Sequence, residues 1–118
     1  MRKRIMAAAV VLILPLVSRN AAVGADGVQV TITNDGTEDI MVTVYDMNTH
    51  PHRVVLVNTR INGFTSVPIS LVGDRVGRAK LSWTATSADA ASRKCGHARS
   101  VVGDDGTVNV HADSRCRV

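Results

Sequence analysis

Two histidines one residue apart, in the run Asp46-Met47-Asn48-Thr49-His50-Pro51-His52, are the part of this sequence best suited to chemistry. Imidazoles at that spacing can turn toward one ion, and the Met47 thioether adds a soft donor of the kind that favours Cu(I). A small copper- or zinc-binding protein of the periplasm, built on His50, His52 and Met47, is therefore one functional expectation. A real centre needs three or four converging ligands, and the other histidines, His97 and His111, lie far along the chain. The competing expectation is a turn in which Pro51 sets the bend and both imidazoles face water.

Other catalytic chemistry finds little support. Glu38-Asp39 and Asp104-Asp105 pair carboxylates, but acid–base work needs two carboxylates in different environments. Both pairs fall in turns beside glycine, where aspartate is favoured by local hydrogen bonding. There is no Gly-x-Ser-x-Gly elbow and no glycine-rich phosphate loop. We therefore expect no catalytic residues, no cofactor and no enzyme activity.

A contact role has two local signals. Arg93, Lys94, Arg99, Arg115 and Arg117 gather near the two ends of the last strand pair. Such a cluster suits an acidic protein, a glycan or a lipid head group. It also fits a solvated strand face with ion pairs to Asp113 and Asp89, which contribute little when exposed. Met41 and Tyr45 form the second signal, as apolar residues on the outward row of a strand.

The elements that carry these residues alternate with period two. Val28, Val30 and Ile32 form the inward row of a first strand, followed by the turn Asn34-Asp35-Gly36. Ile40, Val42 and Val44 form a second. Arg53 to Asn58 contains the consecutive aliphatics Val54 to Val57, and a strand apolar on both faces should sit centrally or have its outer face covered. Thr65 to Leu71 carries Pro68, which lacks an amide hydrogen and belongs at a sheet edge. Ala79, Leu81, Trp83 and Ala85 are the inward row of the clearest strand. Ser87 to Ser92 has room for one helical turn at most. Two last strands, Lys94–Val102 and Thr107–Asp113, flank Gly103-Asp104-Asp105-Gly106 and read as a hairpin. In that hairpin Val101 faces Val108 and Cys95 faces Ser114. Cys116 then shares a face with Cys95 but lies one diagonal step away, so a disulfide there predicts a local irregularity.

The N-terminus sets the compartment. Arg2, Lys3 and Arg4 precede the apolar run Ile5 to Val17, which is too short to span a bilayer and suits a secretory signal. Small residues at Val23 and Ala25 place cleavage before Asp26, so residues 1–25 are a cleavable signal and 26–118 one domain. No membrane span is expected after cleavage, and the location is periplasmic or secreted. Of 14 basic residues the four in the signal are lost, leaving ten against 10 acidic ones. A neutral domain has no overall field to attract nucleic acid, which drops out as a partner. In an oxidising compartment Cys95 and Cys116 form a disulfide.

Seven short strands, regular turns and no amphipathic helix predict an all-β protein, an antiparallel immunoglobulin-like β-sandwich. The antibody order Cys…Trp…Cys is missing, since Trp83 precedes both cysteines. The signal of residues 1–25, the β-pattern from Val28 onward and the Cys95/Cys116 pair together resemble the short exported β-sandwich proteins of Gram-negative bacteria. The resemblance is architectural and implies no activity. The leading functional expectation is an exported non-catalytic module acting through an unknown protein or cell-envelope component.

Overall fold

The computed structural model describes residues 27–117; the signal and its cleavage point lie outside them. All seven expected strands form: β1 (Gly27–Asn34), β2 (Ile40–Asp46), β3 (Arg53–Ile61), β4 (Ser66–Val72), β5 (Ala79–Ser87), β6 (Lys94–Val102) and β7 (Gly106–Val110). An eighth, β8 (Ser114–Arg115), follows, and there is no helix among the described residues. Ser87 to Ser92 is a turn, closed by the Ser92 N–H donating to the Asp89 carbonyl at 3.0 Å.

The strands build a β-sandwich of two sheets, ordered β4-β1-β7 and β3-β2-β5-β6-β8. Alternation explains the core. Val28, Val30 and Ile32 of β1 meet Val42 and Val44 of β2 and Leu81, Trp83 and Ala85 of β5 in one buried cluster. Because successive side chains on a strand point to opposite faces, the inward rows of β1, β2 and β5 are apolar.

Three details depart from the sequence expectations. First, β3 is neither central nor covered: it is an edge strand, with Val54 40% and Val57 70% exposed. Val55 and Leu56 pack against the core, and the β2–β3 register shifts twice between Val42 and Tyr45. These irregularities, with Asn58 at φ 43°, rotate part of the aliphatic run outward. Pro68, by contrast, lies on the edge strand β4 as its missing amide requires.

Second, β6 and β7 do not pair as a hairpin. β7 crosses to the other sheet and runs parallel to β1, from Val30↔Gly106 to Asn34↔Val110, so the sandwich is not wholly antiparallel. The loop aspartates supply the reason. The Gln29 N–H donates to Asp104 Oδ1 at 2.8 Å, and the Asp105 N–H donates to the Gln29 carbonyl at 2.7 Å. The turn is thus tied to β1, and Val108 and Val110 become buried between the sheets.

Third, the chain returns to β6 only at β8, where Cys95 does face Ser114. The expected irregularity is there: β8 stops at Arg115, and Cys116 continues with its N–H donating to the Arg93 carbonyl at 2.9 Å. This draws Cys116 into the Cys95–Cys116 disulfide, with a Cα separation of 4.9 Å. Replacing both cysteines by serine is expected to cost about 3 kcal/mol, since the bond closes a loop of about 20 residues. Urea unfolding of the double variant measures it, and an unchanged midpoint would refute the stabilising role.

Two carboxylates are held in ionised form by the loops. Asp39 accepts a hydrogen bond from the Gly63 N–H at 3.0 Å and one from Arg60 at 2.7 Å, which hold its carboxyl below the usual 3.8. Asp74 is lowered chiefly by the Arg78 N–H, with the Val76 N–H, Arg78 and Lys80 adding to it against partial burial. A carboxylate with a depressed folded pKa stabilises the fold above its unfolded pKa, and that contribution is lost as pH falls through the folded value. Thermal midpoints should therefore hold down to about pH 5 and drop below about pH 4. Asp39→Asn with Asp74→Asn should flatten that drop; an unaltered acid limb would contradict the assignment.

Candidate functional site

The expected metal ligands sit in the β2–β3 turn. His50, Pro51 and His52 are exposed, the two imidazole centroids are 5.6 Å apart, and Met47 is half-buried. Asp46, just upstream, is turned away from any ion. It is wholly buried and accepts from the Asn48 N–H at 3.1 Å, the Val72 N–H at 2.9 Å and Arg53 at 3.4 Å. Among the described residues no three His, Cys, Asp or Glu side chains converge as a metal would require. His97 and His111 stand elsewhere: His97 on β6, and His111 with Nδ1 3.1 Å from Asp35 and Nε2 3.6 Å from Asp113.

Met41 and Tyr45 take the outward row of β2, both half-buried. Tyr45 lies between Val54 of β3 and Ser82 of β5, and Met41 between Arg60 and Thr86. Neighbouring strands thus cover much of both side chains, leaving Val54 as the more open apolar contact.

Four of the five expected basic residues are brought together by the C-terminal staple, while Arg99 stands apart. β8 sets Arg115 opposite Lys94, and the Cys116 hydrogen bond holds Arg93 and Arg117 at the same end. Arg99 projects from the outward row of β6, opposite Ser82. The expected ion pairs to Asp113 and Asp89 do not form. Lys94 pairs instead with Glu38 at 3.6 Å, and Asp113 faces His111. Among the described residues Arg93, Arg99, Arg115 and Arg117 have no carboxylate partner, nor does Arg75 in the β4–β5 loop, whereas Arg53, Arg60, Arg78 and Lys80 all have one.

Beside this cluster lies a feature that sequence reasoning missed. The inward row of β6 is Gly96, Ala98 and Ser100, which oppose Ala85, Trp83 and Leu81 of β5. The narrower three-stranded sheet does not cover that row, and Ala98 is exposed although it faces inward. The result is a groove of about 610 Å³ with Trp83 and Ala98 in its lining and His111, Asn109, Arg115 and Arg117 around them. Trp83 is only 3% exposed, and its Nε1 has no hydrogen-bond partner among the described residues. Gly96 is required where the chain crosses from β7 to β8, because a Cβ there would collide with the His111 carbonyl. The signal in the sequence was the run of small residues on the inward row of β6, whose meaning depends on what lies opposite.

Comparison with family models, curated proteins and solved structures finds no match, so the functional reading rests on this geometry alone.

Proposed function

We propose that this chain is an exported, non-catalytic β-sandwich module, periplasmic or secreted, that acts through contact with a protein or a cell-envelope component. The observation that carries the reading is the set Arg93, Arg115 and Arg117, without a carboxylate partner among the described residues, at one end of a domain in which Arg53, Arg60, Lys80 and Lys94 are all paired; the likewise unpaired Arg99 stands farther along β6. Clustered charge without internal partners steers an oppositely charged surface and sets its orientation. The disulfide supports an oxidising compartment.

The test is affinity capture from envelope extract with the immobilised protein. A variant carrying Arg93→Glu, Arg99→Glu, Arg115→Glu and Arg117→Glu serves as the comparison, its fold checked by circular dichroism. We expect a discrete component retained at physiological salt by the parent and lost by the variant. Equal retention by both, or nothing above a blank support, would overturn the proposal.

A further inference from the structure

Exposed strand edges invite further strands, and folded proteins commonly blunt them with proline, bulges or charge. Here β4 carries Pro68, and β3 carries two register shifts and the left-handed Asn58. β8 covers β6 only at Lys94 and Cys95. Among the described residues, β6 from Gly96 to Val102 has no strand neighbour on its outer side, and neither does β7. Both open edges border the groove over Trp83.

The groove is shaped for a short extended chain. Along β6 its lining runs from Gly96 to Ser100, a length of five residues at about 3.3 Å each. The Val110 carbonyl is turned toward β1, where the Asp35 N–H donates to it at 3.4 Å. Strand alternation therefore turns the backbone groups of Asn109 and Thr107 the other way, to the open flank. Ala98 and Ser100 leave depth for incoming side chains, while the face of Gly96 is taken by the His111 carbonyl. Trp83 belongs to the lining although only 3% exposed, and its Nε1–H has no partner among the described residues.

Charge selects the occupant. Among the described residues Arg115 and Arg117 line the groove without carboxylate partners, while the one acidic lining residue, Asp113, faces His111. A second copy is disfavoured, because antiparallel β6 edges centred on Ala98 would set each Arg99 opposite the other copy's His97, and β6 carries no carboxylate to balance them. We propose that the flank between β6 and β7 binds an extended acidic peptide segment of a partner protein, which continues the three-stranded sheet beside β7 and places carboxylates on Arg115 and Arg117. This rests on the contact-module reading and names the chemistry of its partner.

The probes are three: the capped pentapeptides Val-Glu-Val-Glu-Val and Val-Lys-Val-Lys-Val, and sodium glutamate at matched carboxylate concentration. Each is titrated into the ¹⁵N-labelled exported protein. The Glu peptide should saturably shift the Trp83 indole N–H and the Thr107 and Asn109 amides, while the other two leave them in place. Arg115→Glu with Arg117→Glu should weaken the Glu peptide by about tenfold or more, the scale of losing close charge pairs. Ala98→Arg keeps the basic cluster but fills the groove, and should abolish the shifts in a protein whose remaining spectrum is unchanged. The proposal fails if both peptides bind alike, if glutamate reproduces the shifts, if shifts map away from the groove, or if Ala98→Arg binds normally. If the Glu peptide fails while the parent protein still captures an envelope component, this inference is lost and the contact-module reading stands.

Discussion

Replacing Trp83 by alanine is expected to destabilise the domain by about 3–5 kcal/mol, the range for removing a buried aromatic side chain. Trp83 stands on the inward row of β5, paired with Val44 of β2 and Ala98 of β6, so it bridges the centre of the five-stranded sheet. Its ring also meets His111 edge-on at a centroid distance of 5.8 Å. No other side chain of comparable size belongs to the buried cluster, which is otherwise aliphatic. Neighbours are therefore poorly able to fill the space it leaves. Trp83→Phe keeps a smaller aromatic ring and deletes an N–H that has no partner among the described residues, so it should recover part of the loss. Urea unfolding of both variants, with the parent's tryptophan emission as a check on burial, measures the difference. A near-neutral alanine variant would contradict the core described for this sandwich.

Asp46→Ala should cost about 4 kcal/mol, from two charge-assisted hydrogen bonds at about 1.5–3 kcal/mol each. The side chain at the end of β2 accepts from the Val72 N–H at the end of β4, and so joins the two sheets. Its other oxygen accepts from the Asn48 N–H, and Asn48 in turn donates to the Val72 and Arg78 carbonyls at 2.9 and 3.2 Å. Thr49 closes the same turn, donating to the Asp46 carbonyl and accepting from the Arg53 N–H. Alanine leaves the part-buried Val72 and Asn48 amides without their acceptors, which costs more than water returns to them. Asp46→Asn keeps one acceptor oxygen and should fall between alanine and the parent. Amide hydrogen exchange should accelerate first at Val72 and Asn48. A loss near zero would mean that the turn finds other acceptors, and would remove Asp46 as the link between the sheets.

Asp46 also explains why the His50-Pro51-His52 turn looks different in the fold than in the sequence. Read linearly, Asp46 and Met47 sit beside two histidines as further donors. In three dimensions the carboxylate is consumed by backbone amides, so the imidazoles are left as an exposed pair. Local spacing predicts which groups are near in the chain. It does not say which are already satisfied.

Much of the architecture was legible in the sequence because its cause is local. Period-two alternation marks inward and outward rows whatever the partner strand, and all seven strands appear where alternation placed them. Pro68 at an edge and the bonding of Cys95 with Cys116 likewise follow from the chemistry of single residues in a stated environment. What only the tertiary structure decided depends on strand neighbours. The Gly103–Gly106 turn suited an in-sheet hairpin, yet Asp104 and Asp105 bind Gln29 and send β7 to the other sheet. Val54 to Val57 read as a buried strand, yet register shifts against β2 set it at an edge. The uncovered row Gly96, Ala98 and Ser100 becomes a groove only because the facing sheet has three strands and ends at β7. Alternation along a strand is fixed by backbone geometry within a few residues, whereas strand order is fixed by contacts between residues far apart in the chain.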